Sequence, residues 1–138
     1  MNIASLITDN IAELLVKIIE FTRARHKILA QNISGINRHG FTPKDLVPDE
    51  FSGLLNRAID EHITNKRLLL RDTANIKFGI SGSFIAEPVV DEYARELLEE
   101  NREEYFELQK KKLMENSLNQ RVAAELLRRK QGMASVFT

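Results

Sequence analysis

The chain has 138 residues, no cysteine and no tryptophan, and its 20 lysines and arginines balance its 20 aspartates and glutamates. This length fits one domain, so we treat 1–138 as a single unit. The absence of cysteine excludes internal disulfides, thiolate metal sites and cysteine nucleophiles. Balanced charge argues against nucleic acid as a partner. We also expect no cleavable signal peptide and no membrane insertion, because no basic segment leads the first apolar run and no stretch reaches about 20 apolar residues.

The first part of the chain predicts one long helix, over about residues 3–33 of an N-terminal unit 1–34. Its seam residues follow alternating steps of four and three, the spacing of a helix that packs lengthwise against another helix. Gly35 and Gly40 then interrupt the helical pattern and allow the chain to turn. The seam consists of Ile7, Ile11, Leu14, Ile18, Phe21, Arg25, Ile28 and Asn32.

Two residues of this seam are polar. A polar seam residue can fix the register or the oligomeric state of a helix pair. For Arg25 we favour the simpler interpretation, in which the charged group reaches water along its stem. For Asn32, beside the turn, a local capping or turn bond is at least as plausible.

Residues 35–88 predict a turn, a short helix and a flexible middle. The short helix should extend from Asp49, as its N-cap after Pro48, to about His62. From Thr64 to Pro88 the periodicity fails. This stretch fits either a short β-hairpin or a mobile segment, and we favour the mobile segment.

The remaining residues, 89–138, predict one long C-terminal helix, because Val89 to Gln131 contains neither proline nor glycine. Its apolar face opens with Val90 to Leu97 and closes further on. We expect a mainly α fold in which the two terminal helices form an antiparallel, coiled-coil-like pair, with one of these apolar faces against the N-terminal seam. The closing residues are Leu118, Val122 and Leu126.

No residue pattern predicts catalysis. The three histidines share no metal-ligand spacing, and we interpret His26 as a surface residue and His62 as a packed one. No serine, base and acid are marked as a set. The glycines at 79 and 82 lack the lysine of a phosphate loop. We therefore assign no catalytic, cofactor-binding or metal residue and do not expect an enzyme.

The segment from Arg25 to Gly35 resembles the N-terminal signature of flagellar axial proteins, whose run "leucine-alanine-x-asparagine-isoleucine" is matched by Leu29 to Ile33. The family's following "threonine-proline-glycine-tyrosine" reads arginine-histidine-glycine-phenylalanine here. The residues from Glu115 to Met133 resemble the C-terminus of the proximal-rod proteins of the flagellar basal body. The positions that carry the motif are Arg25, Asn32, Ile33, Gly40, Phe41 and Asn116.

This resemblance implies a structural subunit of the bacterial flagellar rod. Such a subunit would be exported by the flagellar type III apparatus without a cleavable signal and would polymerise in the periplasm. Its partners would be other rod subunits and the base of the basal body, through the terminal helices, and no cofactor is implied. The alternative is a cytosolic helical-hairpin adaptor that binds one partner helix.

Overall fold

A computed structural model describes the backbone of residues 3–79 and 83–136 and the side chains of 10–79 and 83–132. The chain is mainly helical, and its long helices α1 and α4 pack closely together, as predicted. Bonds from Asn116 to Thr22 and from Tyr105 to Asn32 make this pair antiparallel. The elements are α1 (Ile3–Ser34), β1 (Lys44–Asp45), α2 (Pro48–Asn65), β2 (Ile76–Phe78), β3 (Phe84–Ala86), β4 (Val89–Val90), α3 (Glu92–Glu100) and α4 (Arg102–Val136).

The chain reverses after α1 through a turn that ends in β1. The N–H of Gly35 donates to the carbonyl of Gln31 at 2.8 Å, and Gly40 has a φ of +73°. A φ in this region is costly for residues with a Cβ, so the turn requires glycine at this position. Strand β1 then pairs antiparallel with β4, with Lys44 opposite Val90 and Asp45 opposite Val89.

Helix α2 begins slightly earlier than predicted. The N-cap is Val47, which makes no side-chain capping bond, and Pro48 occupies the first helical turn. The prediction of Asp49 as N-cap is therefore wrong. Proline suits this place because its missing N–H is not needed there. Asp49, in the first turn, places its negative charge near the positive end of the helix dipole, which is favourable.

The described part of the middle segment contains the short hairpin that the sequence left as an alternative. Strands β2 and β3 pair antiparallel, with Ile76 opposite Ala86 and Phe78 opposite Phe84. The Glu50 carboxylate ties the preceding loop to α2, since it accepts the Asn75 N–H at 2.8 Å and the Asn75 amide at 3.0 Å. Mobility of this stretch stays a prediction, and residues 80–82 lie outside the described residues.

The hydrophobic core joins α1, α2 and the hairpin. The rings of Phe21 and Phe51 stack with centroids 4.1 Å apart, and Phe84 lies 6.1 Å from Phe51. Leu46, Leu54 and Ile76 complete the buried cluster. Burial of these aromatic rings holds α2 and the hairpin against one side of α1.

The C-terminal part is two helices where the sequence predicted one. Val89 and Val90 belong to β4, Asp91 is the N-cap of α3, and Asn101 is extended with φ −153° and ψ 94°. The prediction that Val90 opens the apolar face of the C-terminal helix is therefore wrong. The break falls within the polar run from 99 to 104, which contains no apolar side chain to hold the chain against a neighbour.

Candidate functional site: a polar seam and the groove beside it

The face of α4 that packs on α1 is formed by polar and small residues. Tyr105 and Gln109 are fully buried, Asn116 is 1% exposed and Ala123 is 2% exposed. Together with half-buried Lys112 they follow steps of four, three, four and seven, the spacing of a helix-pair seam. We call these five residues the polar seam. Sequence reasoning missed Tyr105, Gln109 and Lys112 because it searched for apolar residues at this spacing.

Asn32 joins the polar seam to the turn. Its side-chain amide donates to the carbonyl of Lys44 at 2.7 Å and accepts the N–H of Lys44 at 3.1 Å. The same amide donates to Oε1 of Gln109 at 3.0 Å, and the Tyr105 hydroxyl donates to the carbonyl of Asn32. The bonds to Lys44 span twelve residues, so the Asn32 side chain closes the whole loop. The local turn bond that was one of the expectations is therefore not what this side chain makes.

Arg25 is buried and ion-paired. Its Nε and Nη2 donate to the two oxygens of Asp45, both at 2.9 Å. The prediction that its charged group reaches water is therefore wrong. A buried guanidinium needs a partner that satisfies its fork of donors, and the β1 carboxylate supplies a bidentate one.

Lys112 extends this pair into a four-residue ionic network. Its ammonium lies 3.0 Å from Oδ2 of Asp45 and 2.7 Å from Oδ2 of Asp91. The other oxygen of Asp91 accepts the N–H of Ala94 at 3.1 Å and caps α3. The network, made of Arg25, Asp45, Asp91 and Lys112, therefore connects α1, β1, α3 and α4.

The network sets the protonation of its members. Burial would raise the pKa of Asp45, but the hydrogen bonds and charges of Arg25 and Lys112 outweigh it and lower this pKa. Burial would lower the pKa of Lys112, but the bond to Asp91 and the charge of Asp45 raise it. Burial, assisted by the negative charge of Asp91, raises the pKa of the Tyr105 phenol to about 12. All three groups therefore keep their ordinary charge states at neutral pH.

The other motif positions also have structural roles. Asn116 donates to the carbonyl of Thr22 at 2.7 Å. Ile33 is half-buried, and half-buried Phe41 packs against Gly35 so closely that a Cβ there would lie 2.6 Å from the ring. Gly40 and Phe41 line an open pocket of about 430 Å³ beside the turn.

An apolar groove of about 390 Å³ opens beside the polar seam. The predicted residues Leu118, Val122 and Leu126 line it and are 57%, 51% and 44% exposed. They follow Met114, 73% exposed, at steps of four, and we call these four residues the apolar stripe. This face was predicted to pack against the N-terminal seam. It borders the same groove as Ile18 and Phe21 of that seam, but its exposed side chains are not packed closely against them. The other apolar lining residues are Leu15, Ile18, Phe21, Pro48, Phe51, Leu55 and Ala123.

The predicted α1 seam is only in part a buried face. Leu14 and Phe21 are buried, whereas Ile11, Ile18 and Ile28 are half-buried. The side chain of Ile7 lies outside the described side chains. His26 is exposed, as predicted, and His62 is half-buried, with its Nδ1 3.2 Å from the Asn10 amide.

Within residues 3–79 and 83–136, the structure contains no cluster of histidine and carboxylate side chains able to hold a metal ion. No helix in these ranges is both long and apolar enough to cross a membrane. Comparison of the chain with protein-family models, curated proteins and solved structures finds no match.

Proposed function

We propose that this chain is a structural subunit of the bacterial flagellar rod, resident in the periplasmic part of the basal body. It assembles through its terminal helices with other rod subunits and with the basal-body base. The apolar stripe of α4 carries this proposal. Four large apolar side chains in helical register are about half or more exposed. Their burial against a neighbour would be favourable by about 25 cal/mol per Å², before the entropic cost of association is subtracted.

The motif positions support the rod assignment. Arg25, Asn32 and Asn116 lie up to 91 residues apart in sequence, yet all three are buried and hydrogen-bonded around the helix pair and its turn. A chance match to the motif in an exposed helix would not require these side chains to be buried or hydrogen-bonded. The resemblance therefore falls on the side chains that determine how the terminal helices pair.

The groove favours helices as the partners. It lies between α1, α2 and α4, and apolar side chains of all three line it. A helix that presents an apolar stripe fits such a channel, as in other helix-in-groove complexes. Terminal helices of neighbouring rod subunits would supply that surface.

Sedimentation velocity over a range of protein concentrations tests the proposal, together with incorporation of a tagged copy into isolated basal bodies. We expect assemblies that grow with concentration, and loss of growth in Val122→Asp. Ala124→Asp is the matched control, since Ala124 is exposed and lies on another side of α4, at 100° per residue. Assembly that stops at one defined complex would favour the helical-hairpin adaptor. Absence of both self-association and basal-body incorporation would overturn the rod assignment.

A further inference from the structure

One residue both ends α3 and begins α4. The N–H of Asn101 donates to the carbonyl of Leu97 at 2.7 Å, and its own carbonyl accepts the N–H of Tyr105 at 3.0 Å. Its side-chain oxygen accepts the N–H of Glu104 at 3.2 Å, an N-cap bond. The two helices are therefore joined by the single residue Asn101, which makes hydrogen bonds to both of them.

The local sequence does not require this break. Residues 92–104 contain no glycine and no proline, and asparagine within a helix costs little more than other polar residues. By the rule that each N–H bonds to the carbonyl four residues earlier, a straight helix would add bonds from Arg102, Glu103 and Glu104. Something outside the local backbone must hold the bend.

The bend is held by contacts with distant elements. Lys112 on α4 forms an ion pair of 2.7 Å with Asp91, the N-cap of α3, and we call this ion pair the clasp. Ala94 of α3 is fully buried, and β4, directly before α3, pairs with β1. In a straight helix Asp91 and Lys112 would lie about 32 Å apart, at 1.5 Å per residue. The clasp and the straight helix therefore exclude each other.

We propose that α3 is a fold-back arm on a one-residue hinge at Asn101, and that it swings out to continue α4 as one helix when the Asp91–Lys112 clasp opens. In the straight form Glu99 would face Glu103 and Glu100 would face Glu104, and like charges four residues apart repel. This repulsion favours the bent form in the free chain. A neighbouring helix that presents lysine or arginine to these glutamates, which are all exposed, favours the straight form. That trigger rests on the proposed assembly, whereas the hinge itself does not.

Distance measurement between two spin labels tests the hinge. The chain has no cysteine, so Glu92→Cys and Arg121→Cys place labels at two defined positions. Both residues are exposed, the first on α3 and the second on α4. A straight helix separates these positions by about 44 Å. The fold-back brings them within roughly 15 to 20 Å, from the helix rise and the usual spacing of packed helices.

Two variants of the dilute monomer shift the equilibrium. Asn101→Ala removes the N-cap, which corresponds to a roughly fivefold change in the ratio of straight to bent forms. Lys112→Gln opens the clasp and leaves Asp45 paired with Arg25. We expect the short distance alone in the labelled parent and a clear long component in the variant that carries both changes. Lys110→Gln, at an exposed position of the same helix, is the control and should keep the short distance.

A short distance alone in that combined variant, at unchanged helix content, would overturn the hinge. A dominant long distance in the parent would equally overturn it, because the clasp would then not hold the bend. In assemblies diluted with unlabelled subunits we expect the long distance, and persistence of the short one would refute the link to assembly. Failure to assemble at all counts against the proposed function, while the monomer result still decides the hinge.

Discussion

Replacement of Asp45 by asparagine should destabilise the fold strongly, although the side chain keeps its size. Asp45 is 6% exposed and is the bidentate partner of Arg25, which is 9% exposed. Breaking a buried ion pair by removing one partner costs about 3–5 kcal/mol, because the other charge is left buried. We expect the low end, about 3 kcal/mol, since an amide oxygen can still accept one hydrogen bond and Lys112 retains Asp91.

Urea unfolding followed by helical circular dichroism measures this loss. Asp60→Asn is the matched control, because Asp60 is exposed, and such a surface change should stay within about 0.5 kcal/mol. A D45N variant that unfolds within the same margin as the control would refute the coupling of the four charges. The combination with Arg25→Met should cost less than the sum of the two single changes, because the two side chains contact each other.

The pH dependence of the same measurement provides a sign test. The pKa of Asp45 is lowered in the fold. Its ionised form therefore contributes stability that is present above the unfolded pKa, about 4, and is lost as the pH falls through the lower folded value. We expect the difference between wild type and D45N to be full at pH 7 and to shrink below about pH 4. A difference that stays constant into acid would mean that the Asp45 charge is not what stabilises the fold.

Three further outcomes follow from the turn and the polar seam. Gly35→Ala should lower the free energy of unfolding by about 1–3 kcal/mol, since its Cβ would meet the Phe41 ring at 2.6 Å. Gly40→Ala should lower it by only about 1 kcal/mol, because of the positive φ. Urea unfolding that finds Gly40→Ala the more destabilising of the two would refute the packing argument. Asn116→Ala should cost about 1 kcal/mol, the net value of its bond across the helices, and thermal melting indistinguishable from wild type would contradict that bond. In Tyr93→Phe the remaining phenol, that of Tyr105, should titrate near a pKa of about 12 by ultraviolet absorbance, and a midpoint near 10 at intact fold would show that it is not buried.

The helices and the turn could be predicted from sequence because their signals are local. The four-and-three spacing of α1 marked a helix that packs lengthwise, and Gly40 marked the turn by its freedom at positive φ. The N-cap of α2 was placed two residues late, at Asp49 where the structure has Val47, because aspartate is a common N-cap and Pro48 was counted as outside the helix. Each of these signals acts within a few residues, where periodicity and backbone preference decide.

The break at Asn101 and the polar seam could not be predicted, for a different reason. Residues 92–104 contain no glycine or proline to mark a break, and the bend depends on a lysine eleven residues after it. In the same way, Gln109 and Lys112 read as surface residues until Asn32 and Asp45 are placed beside them. Arg25 was misjudged for this reason too, since its partner lies twenty residues away on β1. Tertiary partners decided these positions, and no window of local sequence contains them.

The polar seam also determines how the helix pair responds to temperature. Separation of a seam made of amide, phenol and ionic contacts exposes less apolar surface than separation of a leucine seam. The heat-capacity change from this part of the fold is therefore small, because apolar exposure raises that quantity and polar exposure lowers it. The apolar stripe is a surface of the opposite kind, because the stabilisation gained from burying apolar side chains weakens on cooling. If the chain assembles through this stripe, as proposed, cold should separate neighbouring subunits while each helix pair keeps its register.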